Sequence, residues 1–520
     1  MSQPPKPLKV SYGNKDDRFR MSEPTHKVPI TAMFLCQFDV KKGNCLVWSQ
    51  TCAGVSDEVL FNIEFKCLPS GIHELDQDVV HFVVPKKEGG KSGFYYGVSS
   101  YQQNGLFLAG DSSHVDRSQV EMFSLGVIVD PAFRNVGVSR SKFYDWKPNQ
   151  LVSASEYIDD LQRLLSHWRK SNKNGDFEVF EEFFDSNCLK DDLKGLSSPV
   201  LQRKWQNAGK FISDDSEPER HPHMLENLTR WVSYLGPLIY PLWKASLMRE
   251  RILIVGGSGV SFDKCDALTY CLSILSLIPR SLEDKLIVDP LQPLFSIGIT
   301  DTDFLTELVS QALNSDNEDY QIPGFLACTT DEILEFKPEL YDILFKVNDQ
   351  QGIPEIRKAD SSQVKATPHE LEAYQYLMQT KMGYSLSAEE LQKINKLVEP
   401  TSWSQYLIDG FYWWATAGYM KPSYHENEDK PLESADSENI EVVVALVGYF
   451  HEKTCLIFQK LRQVIENSDD PSHVIIPAAF LGEVGLDCFS VQDYEFIEKL
   501  ARKWFQVEVQ VSQVDMRLLC

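Results

Sequence analysis

The chain has 520 residues, more than one hydrophobic core usually organises, so about two to three domains are expected. Its 75 acidic residues against 51 Lys and Arg leave a formal charge of −24, which argues against general nucleic-acid binding and against attraction to an anionic membrane, because both need a basic footprint. Hydrophobic residues at 43%, with aromatics at 11%, exclude a wholly disordered chain.

The start, Met1-Ser2-Gln3-Pro4-Pro5-Lys6-Pro7, has no signal-peptide apolar stretch, and no window reaches the length of a bilayer span. From Ile30 to Asp39 the first of several short apolar segments reads as a strand, and Asn44 to Ser49 follows across Lys41-Lys42-Gly43 as its hairpin partner. Asp78 to Val84 and Gly93 to Ser99 read as a second pair around the loop Glu88-Gly89-Gly90-Lys91, and Met122 to Val129 as a further strand. Ser153-Ala154-Ser155-Glu156 has the form of a capping box, opening a helix whose apolar stripe is Tyr157, Leu161, Leu164, Leu165 and Trp168.

These segments make a module over residues 28–170, after a leader at 1–27. A polar linker over 171–228 carries some helix near Val179 to Phe184, and its least foldable part runs from Ser213 to Arg220. A helical pattern from Trp231 to Met248, split by Pro237 and Pro241, then opens a module over 229–348. Arg251 to Val255 reads as a fully buried strand ending in the turn Gly256-Gly257-Ser258-Gly259, with an apolar helix from Asp263 to Leu277. Leu294 to Ile299 and Phe325 to Thr330, separated by a helix at Thr302 to Leu313, complete a mainly parallel sheet.

Residues 349–366 read as a second linker, and 367–520 as a helical module. Its helices are announced by capping boxes at Thr367-Pro368-His369-Glu370 and Ser387-Ala388-Glu389-Glu390. An acidic loop from Glu426 to Glu438 precedes a long amphipathic helix through Val442, Leu446, Phe450, Ile457 and Leu461. A helix after Ser490 and a Val507 to Val511 alternation close the chain, and Leu518-Leu519-Cys520 reads as an ordinary terminus because the common prenylation signal places its cysteine further from the end.

The residues offer little chemistry. The eleven cysteines show no CxxC and no paired Cys/His spacing, so no metal site is expected and they read as buried free thiols of a reducing cytosol. Gly256 to Gly259 sits where phosphate loops are built, yet Phe262 stands where a dinucleotide fingerprint needs its third glycine, and no Gly-Lys-Ser/Thr follows. A tight turn that lets the helix pack is the preferred reading, and no cofactor is expected. His221-Pro222-His223 reads as solvated loop. Arg249-Glu250-Arg251 fits either a cleft rim or a solvated helix terminus, and Phe411-Tyr412-Trp413-Trp414 either helical core or an exposed anchor.

Particular strings carry a resemblance. Phe38-Asp39, Gly43-Asn44, Val47-Trp48 and then Glu64-Phe65-Lys66-Cys67-Leu68-Pro69-Ser70-Gly71 resemble the opening of the LCHN branch of the DENN family. Gly93-Phe94-Tyr95-Tyr96-Gly97 and Ser124-Leu125-Gly126-Val127-Ile128 continue it in order, and Leu242-Trp243 through Arg251-Ile252-Leu253-Ile254-Val255 looks like the entry to the central DENN core. The resemblance implies a longin-like antiparallel αβ lobe, a central α/β core and a C-terminal helical module. It implies a guanine-nucleotide exchange factor for a Rab-type small GTPase, which grips the switch regions between the first two lobes and uses no covalent or acid/base chemistry of its own. Ser70, Tyr95, Tyr96, Arg117, Trp243, Arg249 and Arg251 are the candidate GTPase contacts on that reading.

The alternatives are a trafficking scaffold or Rab effector without exchange activity, and a GTPase-activating component with Arg117, Arg134 or Arg140 as its finger. A nucleotide-using enzyme built around Gly256 to Gly259 is a further one. The implied location is cytoplasmic and peripheral on endomembranes, with protein partners reached through acidic loops such as Asn314 to Asp319.

Overall fold

The computed structural model describes residues 27–86, 93–104, 120–132, 147–171, 176–188, 221–279, 282, 290–313, 324–347, 353–401, 439–468 and 473–512. The expectations for the leader, the Glu88 to Lys91 loop, Ser213 to Arg220, Asn314 to Asp319, Phe411 to Trp414, Glu426 to Glu438 and Leu518 to Cys520 lie outside the described residues.

Strands β1 (Ile30–Asp39) and β2 (Gly43–Thr51) form the expected hairpin, turned by Gly43 at φ +81°, a left-handed conformation that glycine adopts without steric cost. After helix α1 (Ile63–Cys67) come β3 (Gln77–Pro85), β4 (Phe94–Gln103) and β5 (Met122–Val129), all in antiparallel pairs. Helix α2 (Ile158–Ser171) buries the stripe of Leu161, Leu164, Leu165 and Trp168, with Tyr157 just ahead of it. The capping box expected at its start does not form. Ser153 is buried, its hydroxyl donates to the Gln150 carbonyl at 2.9 Å, and Ser153–Tyr157 winds as a 3-10 turn instead. Helix α3 (Glu178–Asn187) buries Phe180 and Phe184, and the preceding Phe177 stacks on Trp48 at 6.1 Å and Trp168 at 6.0 Å, so this part of the polar stretch packs on the strands.

Helices α4 (Leu228–Leu235) and α5 (Ile239–Leu247) are split at Gly236–Leu238 around Pro237, as expected, while Pro241 sits in the first turn of α5, where no intrahelical N–H bond is lost. Then β6 (Ile252–Gly256), α6 (Phe262–Leu275), β7 (Gln292–Ser296), α7 (Thr302–Leu313), β8 (Phe325–Thr329) and β9 (Ile343–Val347) follow. The four strands lie parallel in the order β7-β8-β6-β9. Strand β9 was not anticipated, being a short run that periodicity cannot separate from loop. The stretch expected as a second linker contributes β10 (Glu355–Lys358) and β11 (Gln363–Val364), antiparallel additions that bury Ile356 and Val364.

Both later capping boxes form. The Thr367 hydroxyl accepts from the Glu370 N–H at 3.1 Å and opens α8 (Pro368–Thr380), and Ser387 does the same for α9 (Ala388–Ile394). Helices α10 (Asn439–Glu466) and α11 (Val491–Phe505) alternate with β12 (His473–Pro477) and β13 (Glu508–Ser512), which pair in parallel. A buried ammonium ties this layer to α5: Lys244 bonds the Asp493 carboxylate and lies 2.5 Å from Glu370. Burial works against that charge, but the two carboxylates outweigh it and raise the lysine's pKa, while burial pushes Glu370 up to about 7.

The molecule is thus mixed α/β around one large mixed sheet. The antiparallel and parallel halves belong to the same sheet, which among the described residues has 11 strands in the order β11-β10-β9-β6-β8-β7-β3-β4-β5-β1-β2, and they meet at β3 and β7 with Phe82 opposite Phe295.

Two family-like strings have a packing reason. Gly97 pairs with Phe82 and Gly126 with Phe34, and each phenylalanine ring lies across its glycine. A Cβ would stand 2.1 Å from the Phe82 ring at Gly97 and 2.3 Å from the Phe34 ring at Gly126. Gly97→Ala and Gly126→Ala should each cost about 1–3 kcal/mol through forced displacement of a buried ring. Urea unfolding of the full chain measures this, and an unchanged midpoint would show that the rings yield freely.

Candidate functional site

In an α/β sheet the carboxyl ends of parallel strands are where a site is built, because the loops there are free of the ladder and helix N-termini converge on them. Here those ends are met by one ribbon of the antiparallel half, running from α1 into β3. Lys66 inserts its ammonium 2.5 Å from Asp301, after β7, and both side chains are buried. The Thr330 hydroxyl, after β8, donates to the Ser70 carbonyl. Ser258, in the glycine turn after β6, donates to Glu74 at 2.5 Å.

The same ribbon closes the N-terminus of α6. Asp78 accepts from the Phe262 N–H at 2.6 Å and from the Ser261 hydroxyl at 2.9 Å, so a carboxylate of the chain itself fills the place where a bound phosphate would sit. The glycine turn is structural in detail: Gly257 donates to the Val347 carbonyl at 3.1 Å, and Gly259 adopts φ +76°. This agrees with the tight-turn reading of Gly256 to Gly259.

Deeper along the seam lies Asp266, a fully buried carboxylate on α6. It accepts from the His81 N–H on β3 at 2.9 Å, from the Ser296 hydroxyl on β7 at 3.0 Å and from the Cys328 thiol on β8 at 3.0 Å. The His81 ring reaches Ser155 at 3.0 Å through Nε2, while Nδ1 lies 3.8 Å from Asp266, too far for a hydrogen bond. Burial raises the Asp266 pKa against these donors. Serine, histidine and aspartate meet here inside the protein, with His81 and Asp266 sealed from solvent, so the cluster holds the halves together and is not placed to meet a substrate.

Several apolar side chains on the segments around the seam are exposed. Phe61 is 69% exposed, Phe65 44%, Ile299 45%, Ile333 58% and Phe336 79%. The pairs above bring the segments that carry these side chains together along the chain's seam. Phe65 adjoins Lys66, which holds Asp301; Ile299 donates its N–H to Asp331 at 3.1 Å, and Asp331 leads into Ile333 and Phe336.

The sequence-derived candidates do not converge. Ser70 is exposed on this surface. Tyr95 and Tyr96 lie at the other end of the parallel strands, where the Tyr96 hydroxyl donates to Gln292 at 3.4 Å and Lys86 sits 4.8 Å over the Tyr95 ring. Trp243 is 1% exposed and packs on Phe450 at 5.5 Å, so its indole has no face to give a partner. Arg249 and Arg251 precede β6, again at the far end, and both are engaged in the fold. Arg249 donates to the Ser276 carbonyl at 3.2 Å and stacks 5.4 Å over Trp504, with burial lowering its pKa to about 10. Arg251 grips Asp342 through two donors at 3.1 and 2.7 Å, so neither arginine is the solvated terminus or cleft rim considered from sequence. Arg117, Arg134 and Arg140 lie outside the described residues.

His221 departs from the solvated-loop reading in being half-buried, whereas His223 is exposed as expected. His221 lies 3.3 Å from Asp263 and His223 caps the turn Met224–Asn227. Among the described residues no group of His, Cys, Asp and Glu is arranged to hold a metal ion, and no helix is long and apolar enough to cross a membrane.

Sequence reasoning missed Lys66, Asp78, Asp266 and Asp301. Asp266 alone left a signal, a carboxylate in the otherwise apolar helix Phe262–Leu275.

Asp78 gives the seam a pH dependence. Burial first, opposed by its backbone and Ser261 donors, raises its pKa to about 6, above the roughly 3.9 of an unfolded aspartate. The folded state therefore holds this proton more tightly, and the group's contribution to stability is full below about pH 4 and is lost as pH rises through about 6. Measured against Asp78→Asn, the native chain should lose about 2–3 kcal/mol between those limits. A constant difference in unfolding free energy across that range would refute the assignment.

Comparison with known proteins places this geometry in a family. The family model of DENN domain-containing protein 11 matches residues 33–356. Uncharacterized protein ANR2 of Saccharomyces cerevisiae is 36% identical over 515 residues, covering 94% of this chain and 93% of the yeast protein. DENN domain-containing protein 11 of Danio rerio is 23% identical over 367 residues, 70% of this chain and 62% of the fish protein. The Mus musculus protein of the same name is 22% identical over 380 residues, 70% of this chain and 69% of its own. The chain belongs to the DENN domain-containing protein 11 family.

Proposed function

We propose that this protein is a guanine-nucleotide exchange factor for a Rab-type small GTPase in vesicle traffic, and that the apolar seam surface is where the GTPase docks. On this reading residues 28–170 are the longin-like lobe, 229–348 the DENN core and 367–520 the helical module, with a leader at 1–27 and linkers at 171–228 and 349–366. The protein works in the cytoplasm and peripherally on endomembranes. Its membership of a DENN family supports the partner class. The observation that carries the reading is exposed apolar side chains on segments of both halves: Phe61 and Phe65 come from one half of the sheet and Ile299, Ile333 and Phe336 from the other, and the buried Lys66–Asp301 pair joins the two.

The mechanism is differential binding. A rigid apolar surface spanning two lobes takes an apolar switch segment in an arrangement that no longer holds magnesium and phosphate, so the nucleotide-free GTPase binds more tightly than the GDP form. By linkage GDP is held more weakly by the same factor. A preference of about 10⁴-fold corresponds to about 5.5 kcal/mol, within reach of a few desolvated aromatic anchors. Lys66, Asp78 and Asp301 act by positioning the surface.

Release of fluorescent GDP from a panel of purified Rab proteins, with hydrolysis followed in parallel, tests this. At least one Rab should release GDP faster with the native chain, and Phe61→Asp combined with Phe336→Asp should lower that acceleration by about tenfold or more, at unchanged melting temperature. Binding without faster release would replace exchange by a scaffold or effector role, and faster hydrolysis by a GTPase-activating one.

A further inference from the structure

We infer that the seam surface selects partners by charge, taking a docking face whose apolar centre is bordered by lysine and arginine; this rests on the docking site proposed above and concerns which GTPases it accepts. The segments that carry the exposed apolar side chains also carry acids. Asp57 and Glu58 precede Phe61, Glu64 stands beside Phe65, Asp303 follows Ile299, and Glu332 precedes Ile333.

Some acids of these segments are already committed to the fold. Asp301 holds Lys66, Glu74 accepts from Ser258, Asp331 accepts from the Ile299 N–H, and Glu335 holds Lys346 at 2.8 Å. Others are not. Among the described residues the carboxylates of Glu58, Asp303 and Glu332 are exposed and have no cation or N–H on them. On the basic side Lys66 is buried in its pair, which leaves His73 and Lys337 on these segments, while Lys346 and Arg357 come from the neighbouring strands to Glu335.

The surface is therefore an apolar strip with a negative border. Desolvating the strip against an acidic partner would bring like charges together in a region of lowered dielectric, whereas a basic border is steered in and its charges are paired at the rim. The same argument turns this face away from an anionic leaflet. Rim charges act chiefly on association rate, so Glu58, Asp303 and Glu332 are specificity determinants here, while the aromatic side chains supply affinity.

The test follows association of the full chain with GDP-loaded Rab proteins by stopped flow, at about 50 and about 300 mM salt. For the Rab that responds in the exchange assay, the association rate should fall about tenfold or more with salt, and comparably in Glu58→Lys/Asp303→Lys/Glu332→Lys at low salt. Glu181→Lys, an exposed reversal on α3, should leave it within about twofold. Replacing the responding Rab's surface lysines and arginines singly by glutamate should identify at least one that binds the triple-lysine chain faster than the native chain does. If GDP release is accelerated but salt and the triple reversal change association by less than about twofold, charge selection is overturned and the exchange reading stands. If no Rab binds at either salt, the docking site itself is wrong and the inference falls with it.

Discussion

The fold turns on the Asp266 carboxylate. It sits on the helix that crosses the sheet and is bonded at once by β3 of the antiparallel half and by β7 and β8 of the parallel half. Direct strand pairing at this junction amounts to Phe82 opposite Phe295, so the ladder that stabilises the rest of the sheet is thin where the halves meet. A buried carboxylate that lost one donor would leave a desolvated group unpaired, at about 1–3 kcal/mol, which makes the junction intolerant of other arrangements. The halves are thereby held in a single register, and everything on the outer face inherits that geometry.

From this constraint the character of the site follows. Because Asp78 occupies the N-terminus of α6 and Glu74 takes the hydroxyl of the glycine turn, the features that in other α/β proteins bind nucleotide here bind the neighbouring half of the same chain. The carboxyl ends of the parallel strands are thus covered by the chain itself, and exposed phenylalanine and isoleucine side chains lie on the segments around them.

Elements with strong local signals were legible in advance. The hairpin glycine, the Thr367 and Ser387 boxes and the α2 stripe are short-range physics, each decided within a few residues, and each stands in the structure where it was expected. The box at Ser153 failed because burial offered its hydroxyl a nearer acceptor. Strands β9 to β11 were missed because a few residues of mixed character become strand only when a sheet edge is present to pair with them. Among the site residues, Ser70 came to the seam surface, whereas Trp243, Arg249 and Arg251 were drawn from a string whose job is packing and local pairing.

The sequence by itself determined the class of protein: acidic, without metal-ligand spacing or a complete nucleotide fingerprint, α/β in pattern and DENN-like in its strings. Tertiary structure alone decided that the strand sets form one sheet and that Lys66 meets Asp301 and Asp78 meets Phe262. The reason is separation along the chain. Those partners lie 235 and 184 residues apart, and no periodicity or local propensity records which charge a folded chain will bring to which helix end.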